Sequence, residues 1–349
     1  MSTLIAIREG SLNGNGGDCS PAKLKASNRG RLAVLHRRLL LLVGGAMFNL
    51  MLLFFILGSL YTLSSRISPL MGWHPDYPSF VVSGNRSGYT VLINTWKRYS
   101  LLKQSVAHYS SCRGVDAVHV VWSETHPPSH QLRECLANVV RQNSRADEKP
   151  HLRFNLNQED NLNNRFKPIV DLRTDAIFSV DDDVIVPCDT LDFAFAVWKT
   201  APSTMVGFVP RMHWLDNKKD GEVHYSYGGW WSVWWTGTYS MVLSKAAFFH
   251  NKYLEMYTNQ TPSSVHHYVT RERNCEDIAM SFVVANATGA PPVWVKGKIY
   301  EIGSSGISSL SEHDYKRNKC LNDFASLFGT MPLISSNAKA VNAMAEWLW

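Results

Sequence analysis

The chain has 349 residues, 45% of them hydrophobic and 18% charged, which gives enough apolar material for a buried core and too little charge for a disordered chain. Its 35 basic and 29 acidic residues give a net charge of +6, but +5 of that falls in the first 38 residues and only +1 in the rest. That distribution excludes an extended basic face for nucleic acid.

Residues 1–38 are polar, with Gly and Ser, and are expected to form a disordered cytosolic tail. Residues 39–63 follow without one charged side chain. At 1.5 Å per residue such a run spans a hydrocarbon core of about 30 Å. It starts too late and runs too long for a cleaved signal peptide, so a retained anchor is expected. The basic excess before it places the tail in the cytosol and the remainder in the lumen or outside, a type II single-pass arrangement. Residues 64–88 read as a short stem, and 89–349 as one lumenal domain of the α/β class.

Within that domain, residues 89–94 read as a strand, 101–110 as a helix, 117–122 as a strand and 131–142 as a helix. Strands are expected at 151–156 and 176–180, then a helix at 190–200 and strands at 205–209 and 239–243. Residues 245–257 and 277–287 read as helices. Strands alternating with helices predict a mainly parallel sheet covered on both faces. Of six cysteines, Cys19 lies before the anchor, and Cys112, Cys135, Cys188, Cys275 and Cys320 lie after it. No Cys-x-x-Cys pair occurs, so neither a zinc site nor a redox motif is expected. Five is odd, which leaves at least one thiol free or paired between chains. Asn85-Arg-Ser and Asn286-Ala-Thr are sequons that suit a secretory location, while Pro262 weakens a third at Asn259.

The densest chemistry stands at the end of the strand at 176–180, where Asp181, Asp182 and Asp183 follow one another. In open α/β sheets ligands sit beyond the carboxyl ends of strands. Three adjacent carboxylates repel, so a cation is expected among them. Hard oxygen ligands suit Mn²⁺ or Mg²⁺, which bind through one or two carboxylates plus substrate phosphates. A nucleotide-sugar diphosphate fits that demand. A solvated acidic turn also fits. A phosphohydrolase with Asp181 as nucleophile and Asp183 as acid is a rival, although that motif belongs on the first strand of its domain. The spacing of a calcium-binding EF-hand is missing.

Two further segments remain open at this level. Asn274 with Asp277 three residues later resembles a capping box at a helix start, where acids are favoured in any case. Trp230, Trp231, Trp234 and Trp235 crowd six positions. Clustered aromatics are most often core, but flat rings also stack on sugars, and Trp favours a membrane interface. His213, His266 and His267 have no ligand-like neighbours in sequence and are expected to be structural or surface residues.

Eight motifs taken in order carry a resemblance: Asn94-Thr-Trp-Lys-Arg98, His119-Val-Val-Trp-Ser123, Asn163-Asn-Arg-Phe166, Val180-Asp-Asp-Asp183, Val206-Gly-Phe-Val-Pro-Arg211, Tyr225-Ser-Tyr-Gly228, Tyr239-Ser-Met-Val-Leu243 and Asn274-Cys-Glu-Asp-Ile-Ala-Met280. From residue 89 to about 331 the chain resembles the exostosin-type glycosyltransferases. The resemblance implies a GT-A fold and a Golgi location, with Asn94, Arg98 and Ser123 on the nucleotide and Arg165 on the diphosphate or ribose. It also implies Asp181 and Asp182 on ribose and sugar, and Asp183 on Mn²⁺ (or Mg²⁺). Asp277 would stabilise the cationic sugar, with Glu276 on donor hydroxyls. Arg317 would reach the diphosphate, and a Cys275–Cys320 disulfide would tie the catalytic turn to the carboxy-terminal segment. Single-domain size and the Trp-rich segment are most similar to plant members acting on glycosyl inositol phosphorylceramides. Asn94 and Ser123 depart from the commoner Gln and Asn where the base is read, which leaves room for guanosine. GDP-mannose is then the expected donor, transferred with retention to a glucuronosyl glycolipid acceptor that meets the four tryptophans. Transfer of an N-acetylhexosamine from a UDP-sugar is the rival within the family, and a catalytically silent anchored adhesion module the rival outside it.

Overall fold

The computed structural model describes residues 28–67, 88–144, 150–217, 223–303 and 313–343. Asn85, Cys19 and most of the expected tail and stem lie outside the described residues. The chain divides into two compact units, residues 1–79 and 80–349. In the first, α1 (Asn28–Ile67) is a continuous helix. Its stretch Arg37–Leu60 has a mean hydropathy of 2.5 and, among the described residues, is the one helix long and apolar enough to cross a membrane.

The second unit runs as β1 (Tyr89–Thr95), α2 (Tyr99–Ser110), β2 (Val115–Trp122), α3 (His130–Asn143), β3 (His151–Leu156), a 3-10 turn (Leu162–Phe166), β4 (Ala176–Asp181) and β5 (Val184–Ile185). Then come α4 (Cys188–Thr200), β6 (Val206–Gly207), β7 (Pro210–Asn217), β8 (Val223–Gly228), α5 (Trp230–Thr236), β9 (Met241–Val242), β10 (Ala246–His250) and α6 (Lys252–Gln260). It closes with α7 (Ser263–Glu272), α8 (Glu276–Thr288), β11 (Val293–Lys296), β12 (Tyr300–Glu301), α9 (His313–Phe328) and β13 (Lys339–Val341).

Eight of the strands form one sheet in the order β13-β11-β6-β10-β4-β1-β2-β3. β1 pairs in parallel with β2 and β4, β2 with β3, and β11 with β6 and β13; β10 runs antiparallel to both its neighbours. Alternate residues of each strand feed opposite cores, as the two-residue period of a strand requires. Val91, Ile93, Phe178 and Phe248 pack with Leu102 and Val106 of α2 and Leu191 of α4. Leu92, Ile177 and Phe249 pack on the other face with Tyr253 and Tyr257 of α6 and Ile278 and Phe282 of α8. The expected mainly parallel sheet with two covered faces is therefore present.

The helix expected over residues 245–257 is not continuous. It splits into β10 and α6, because Ala246-Ala-Phe-Phe buries all four side chains when laid antiparallel against β4. Ala-rich composition favours a helix locally, but the sheet needs both faces of this segment and overrides that preference. The strands expected at 205–209 and 239–243 shrink to β6 and β9. Beyond the sheet, β8-β7-β9 make a small antiparallel sheet on which α5 sits, and β12 pairs with β5.

Candidate active site

In the order β3-β2-β1-β4 the chain crosses from one side of β1 to the other between β3 and β4. A crevice opens beyond the carboxyl ends of β1 and β4 at such a switch. Asn94 and Asp181 are register partners at that end, and the Asp182 amide donates to the Asn94 carbonyl at 3.1 Å. The half-buried Asn94 and the buried Ser123, just past β2, flank the same edge. Asn164 donates to the Ser123 hydroxyl at 3.1 Å, which fixes it from the 3-10 turn.

Two arginines answer the repulsion within the aspartate triplet. Arg98 pairs with Asp182 and donates to Asp183 Oδ2 at 2.7 Å. Thr95 donates to Asp182 Oδ2 at 2.6 Å. Burial pushes the Asp182 carboxyl up to about 6, against the opposite pull of Thr95 and Arg98. Asp181 pairs with Arg165, which is 4% exposed and also donates to Ser244 at 3.0 Å. Arg165 reaches Glu276 at 3.9 Å, so one buried guanidinium joins the triplet to the start of α8.

Glu276 and Asp277 open α8, but not as a capping box. The N-cap is Cys275, at φ 73, and it makes no side-chain cap. Asp277 instead accepts from the Ile278 amide at 2.8 Å and from Arg317 Nη2 at 2.9 Å. Arg317 is 7% exposed and its other terminal nitrogen donates to the Tyr227 hydroxyl at 2.8 Å. Burial and the Asp277 charge push the Glu276 carboxyl up. Burial acts on Asp277 too, but the Arg317 guanidinium outweighs it and holds that carboxyl below its ordinary range. The two neighbours are thus driven apart, one toward the neutral form and one fixed as the anion. The nitrogens Arg165 Nε and Arg317 Nε are buried without a hydrogen-bond partner.

The Cys275–Cys320 disulfide is present and ties this turn to α9, which carries Arg317. A second, Cys112–Cys188, joins the turn after α2 to the first residue of α4, and Cys135 is free. His108 lies near that second pair, but both sulfurs are committed to the bond and offer no metal site. His213 bonds Ser240 at 2.7 Å and His266 bonds the Tyr257 carbonyl at 2.8 Å, as structural histidines do.

Residues 89–346 match the glycosyl transferase family 64 domain. The chain belongs to that family. It is a glycosyltransferase, an enzyme that moves a hexose. Over 268 residues, 77% of this chain and 80% of the relative, it is 60% identical to glycosylinositol phosphorylceramide mannosyl transferase 1 of Arabidopsis thaliana. It is 33% identical to exostosin-2 of Mus musculus over 70% of this chain and 33% of the relative. Against exostosin-1 of Drosophila melanogaster the figures are 39% identity, 51% of this chain and 23% of the relative.

Sequence reasoning misses several parts of this glycosyltransferase site. Thr95 and Ser244 brace Asp182 and Arg165 but carry no chemistry of their own that a motif would flag. Tyr227 sits inside the quoted Tyr225-Ser-Tyr-Gly228 motif, and only its contact with Arg317 gives it a role. The segment after β12 carries no signal in sequence: the Ile302 amide donates to the Asp183 carbonyl at 2.7 Å. A Cβ on Gly303 would lie 2.8 Å from Asp183 Cβ, so glycine there lets the backbone cross directly over the third aspartate. The tryptophans of α5 are not core. Trp230, Trp231, Trp234 and Trp235 are 48%, 74%, 60% and 81% exposed, and the helix buries Val233 instead. Asn286 is exposed on α8.

Proposed function

We propose that this glycosyltransferase is a Golgi type II enzyme of the GT-A type, anchored by Arg37–Leu60, that transfers mannose from GDP-mannose, with retention, to the glucuronosyl head group of a glycosyl inositol phosphorylceramide. The observation that carries the reading is the buried Arg165, which pairs with Asp181 and approaches Glu276, so that a diphosphate subsite and a sugar subsite share one wall. The name of the Arabidopsis relative supports the lipid acceptor and the mannosyl donor. Asn94 and Ser123, held at the ends of β1 and β2, are the groups that would read the base, with Arg98 beside them.

In this reaction the bond between sugar C1 and the phosphate oxygen breaks and a bond from C1 to an acceptor hydroxyl forms. The acceptor proton leaves with the nucleoside diphosphate. Arg165 and Arg317 line the diphosphate side, where guanidinium groups suit its oxygens. Asp277, held as the anion by Arg317, stabilises the oxocarbenium-like sugar electrostatically. A carboxylate of lowered pKa is a poor base, which favours that role over activation of a water. Glu276, raised toward the neutral form, is suited to donate to a donor hydroxyl. Asp181 completes the ribose and sugar side, while the buried Asp182 holds Arg98 in place. Retention follows when the acceptor hydroxyl attacks from the face that the diphosphate leaves.

The residues fit a divalent metal. Asp183 is a hard, partly exposed carboxylate whose Oδ2 takes Arg98, which leaves its other oxygen for an ion. Asp183 would hold Mn²⁺ or Mg²⁺ together with the two phosphates, and the ion would act as a Lewis acid on the departing diphosphate. The expected result is that Asp183→Ala abolishes transfer while the melting temperature is kept, and that chelator does the same to the unaltered protein. Full turnover in either case removes the metal from the reading. Trapping of a phosphate analogue on Asp181 would mark a phosphohydrolase instead.

A further inference from the structure

We infer that α5 with Trp214 is a bilayer-contacting platform, which seats the catalytic domain on the membrane through its own tryptophans. On a helix of 3.6 residues per turn, positions 230, 234, 231 and 235 fall within an arc of about 140°, and position 233 falls on the opposite side. The solvent exposures follow that arc: the four indoles are 48–81% exposed and Val233 is 1% exposed. The indoles are packed against each other, with Trp230 stacked on Trp234 and edge-on to Trp231 at 5.3 Å between centroids. Trp214, 41% exposed on β7, extends the patch beside α5. α5 packs closely on the hairpin: a Cβ on Gly228 would lie 2.5 Å from Met212 Cγ and 2.8 Å from Ser232 Cβ.

The four indoles of α5, a helix with no charged residue, suit the zone between headgroups and acyl chains, where an amphipathic ring is satisfied at both ends. The bilayer is at hand on the reading of α1 as the anchor, on which this inference rests. Only residues 68–87 separate α1 from Gly88, a covalent reach of at most about 70 Å. A tether of that length keeps the local concentration of membrane surface high enough for a weak interfacial contact to be occupied. The platform also begins three residues after Tyr227, which touches the Arg317 that holds Asp277. Seating α5 therefore brings the catalytic cleft to headgroup level, where a ceramide-borne acceptor stands.

The test uses the full chain with a specific protease site inserted between residues 68 and 79, reconstituted into phosphatidylcholine vesicles and separated by flotation before and after cutting. The cut wild-type domain is expected to float with the vesicles, and Trp231→Ser with Trp235→Ser to release it at least tenfold more, at an unchanged melting temperature. Release of the wild-type domain on cutting overturns the platform, and that arm does not depend on any variant. Equal retention of the doubly substituted chain overturns it as well. Retention only when glycosyl inositol phosphorylceramide is added points to a sugar-stacking site and also overturns it, as does a domain that leaves the vesicles as a crosslinkable pair. Stripping of the uncut chain by alkaline carbonate overturns the anchor and the platform together, whereas loss only after cutting overturns the platform alone.

Discussion

The pair Asp277–Arg317 concentrates the site's energetics at the level of single residues. Both groups are buried, at 5% and 7% exposure, and each satisfies the other's charge. Removing one partner of a buried pair leaves an uncompensated charge, at a cost of about 3–5 kcal/mol. Arg317→Ala should therefore lower stability by that order at neutral pH, and Arg317→Lys by less. The pH dependence has a definite sign. In the wild type the depressed Asp277 pKa contributes stability that is present above the unfolded carboxylate value and is lost as pH falls through the folded one. Without Arg317, burial, the largest influence, is opposed only by the Ile278 amide and Arg165, so the Asp277 pKa rises and the stability deficit of Arg317→Ala should shrink as the pH is lowered. Denaturant midpoints across pH for both proteins check this, and a deficit constant with pH would refute it. Asp277→Asn removes the charge without opening a cavity. It should lower kcat by about 10²–10³-fold while KM for the donor changes little, because the lost interaction is made to the transition state.

At the level of elements, the catalytic turn is held by a covalent bond that the helix itself does not supply. Cys275 is a non-glycine residue in the left-handed region, which costs on the order of 1 kcal/mol, and its disulfide to Cys320 holds it there. Closing a loop of 45 residues contributes about 4 kcal/mol in the chain-entropy treatment. Cys275→Ser with Cys320→Ser should lower the melting temperature and, because Glu276 and Asp277 follow directly, depress activity at temperatures where the chain is still folded. Unaltered kcat in a folded double variant would show that α8 positions its acids alone. The elements also show where sequence is legible. The triplet of aspartates reads clearly, since three like charges at a strand end have few structural uses. The strands β1, β2 and β4 read clearly because each is rich in β-branched and apolar residues, and β3 reads by the alternation of Leu152, Phe154 and Leu156 with polar residues. β10 is illegible, because Ala-Ala-Phe-Phe carries no two-residue period and only pairing with β4 decides its form. The exposure of α5 is illegible for the converse reason: four tryptophans are consistent with a core until the hairpin beneath them is seen to bury Val233 instead. The crossing of Gly303 over Asp183 depends on a contact between residues 120 positions apart, which no local pattern encodes.

At the scale of the whole molecule, the question is which nucleotide sugar the crevice selects and which lipid it serves. The edge that would read the base is made of Asn94, Ser123 and the Asn164 that braces Ser123, all fixed by the β1–β2 pairing and the 3-10 turn. Ser123 has a short side chain, so this edge is expected to accept a purine. GDP is expected to bind the protein at least tenfold more tightly than UDP in the presence of Mn²⁺, as read by calorimetry, and Ser123→Asn to narrow that ratio while leaving the affinity for free pyrophosphate unchanged. The diphosphate contacts from Arg165 and Arg317 are common to both nucleotides, so the ratio isolates the base. In cells that lack the protein, the glucuronosylated inositol phosphorylceramide should accumulate and its mannosylated product should fall. Tighter binding of UDP, or a normal level of mannosylated lipid in those cells, would reassign the donor to a UDP-N-acetylhexosamine. The chemistry at Asp277 would stand in that case, because it acts on the cationic sugar ring and is indifferent to the base.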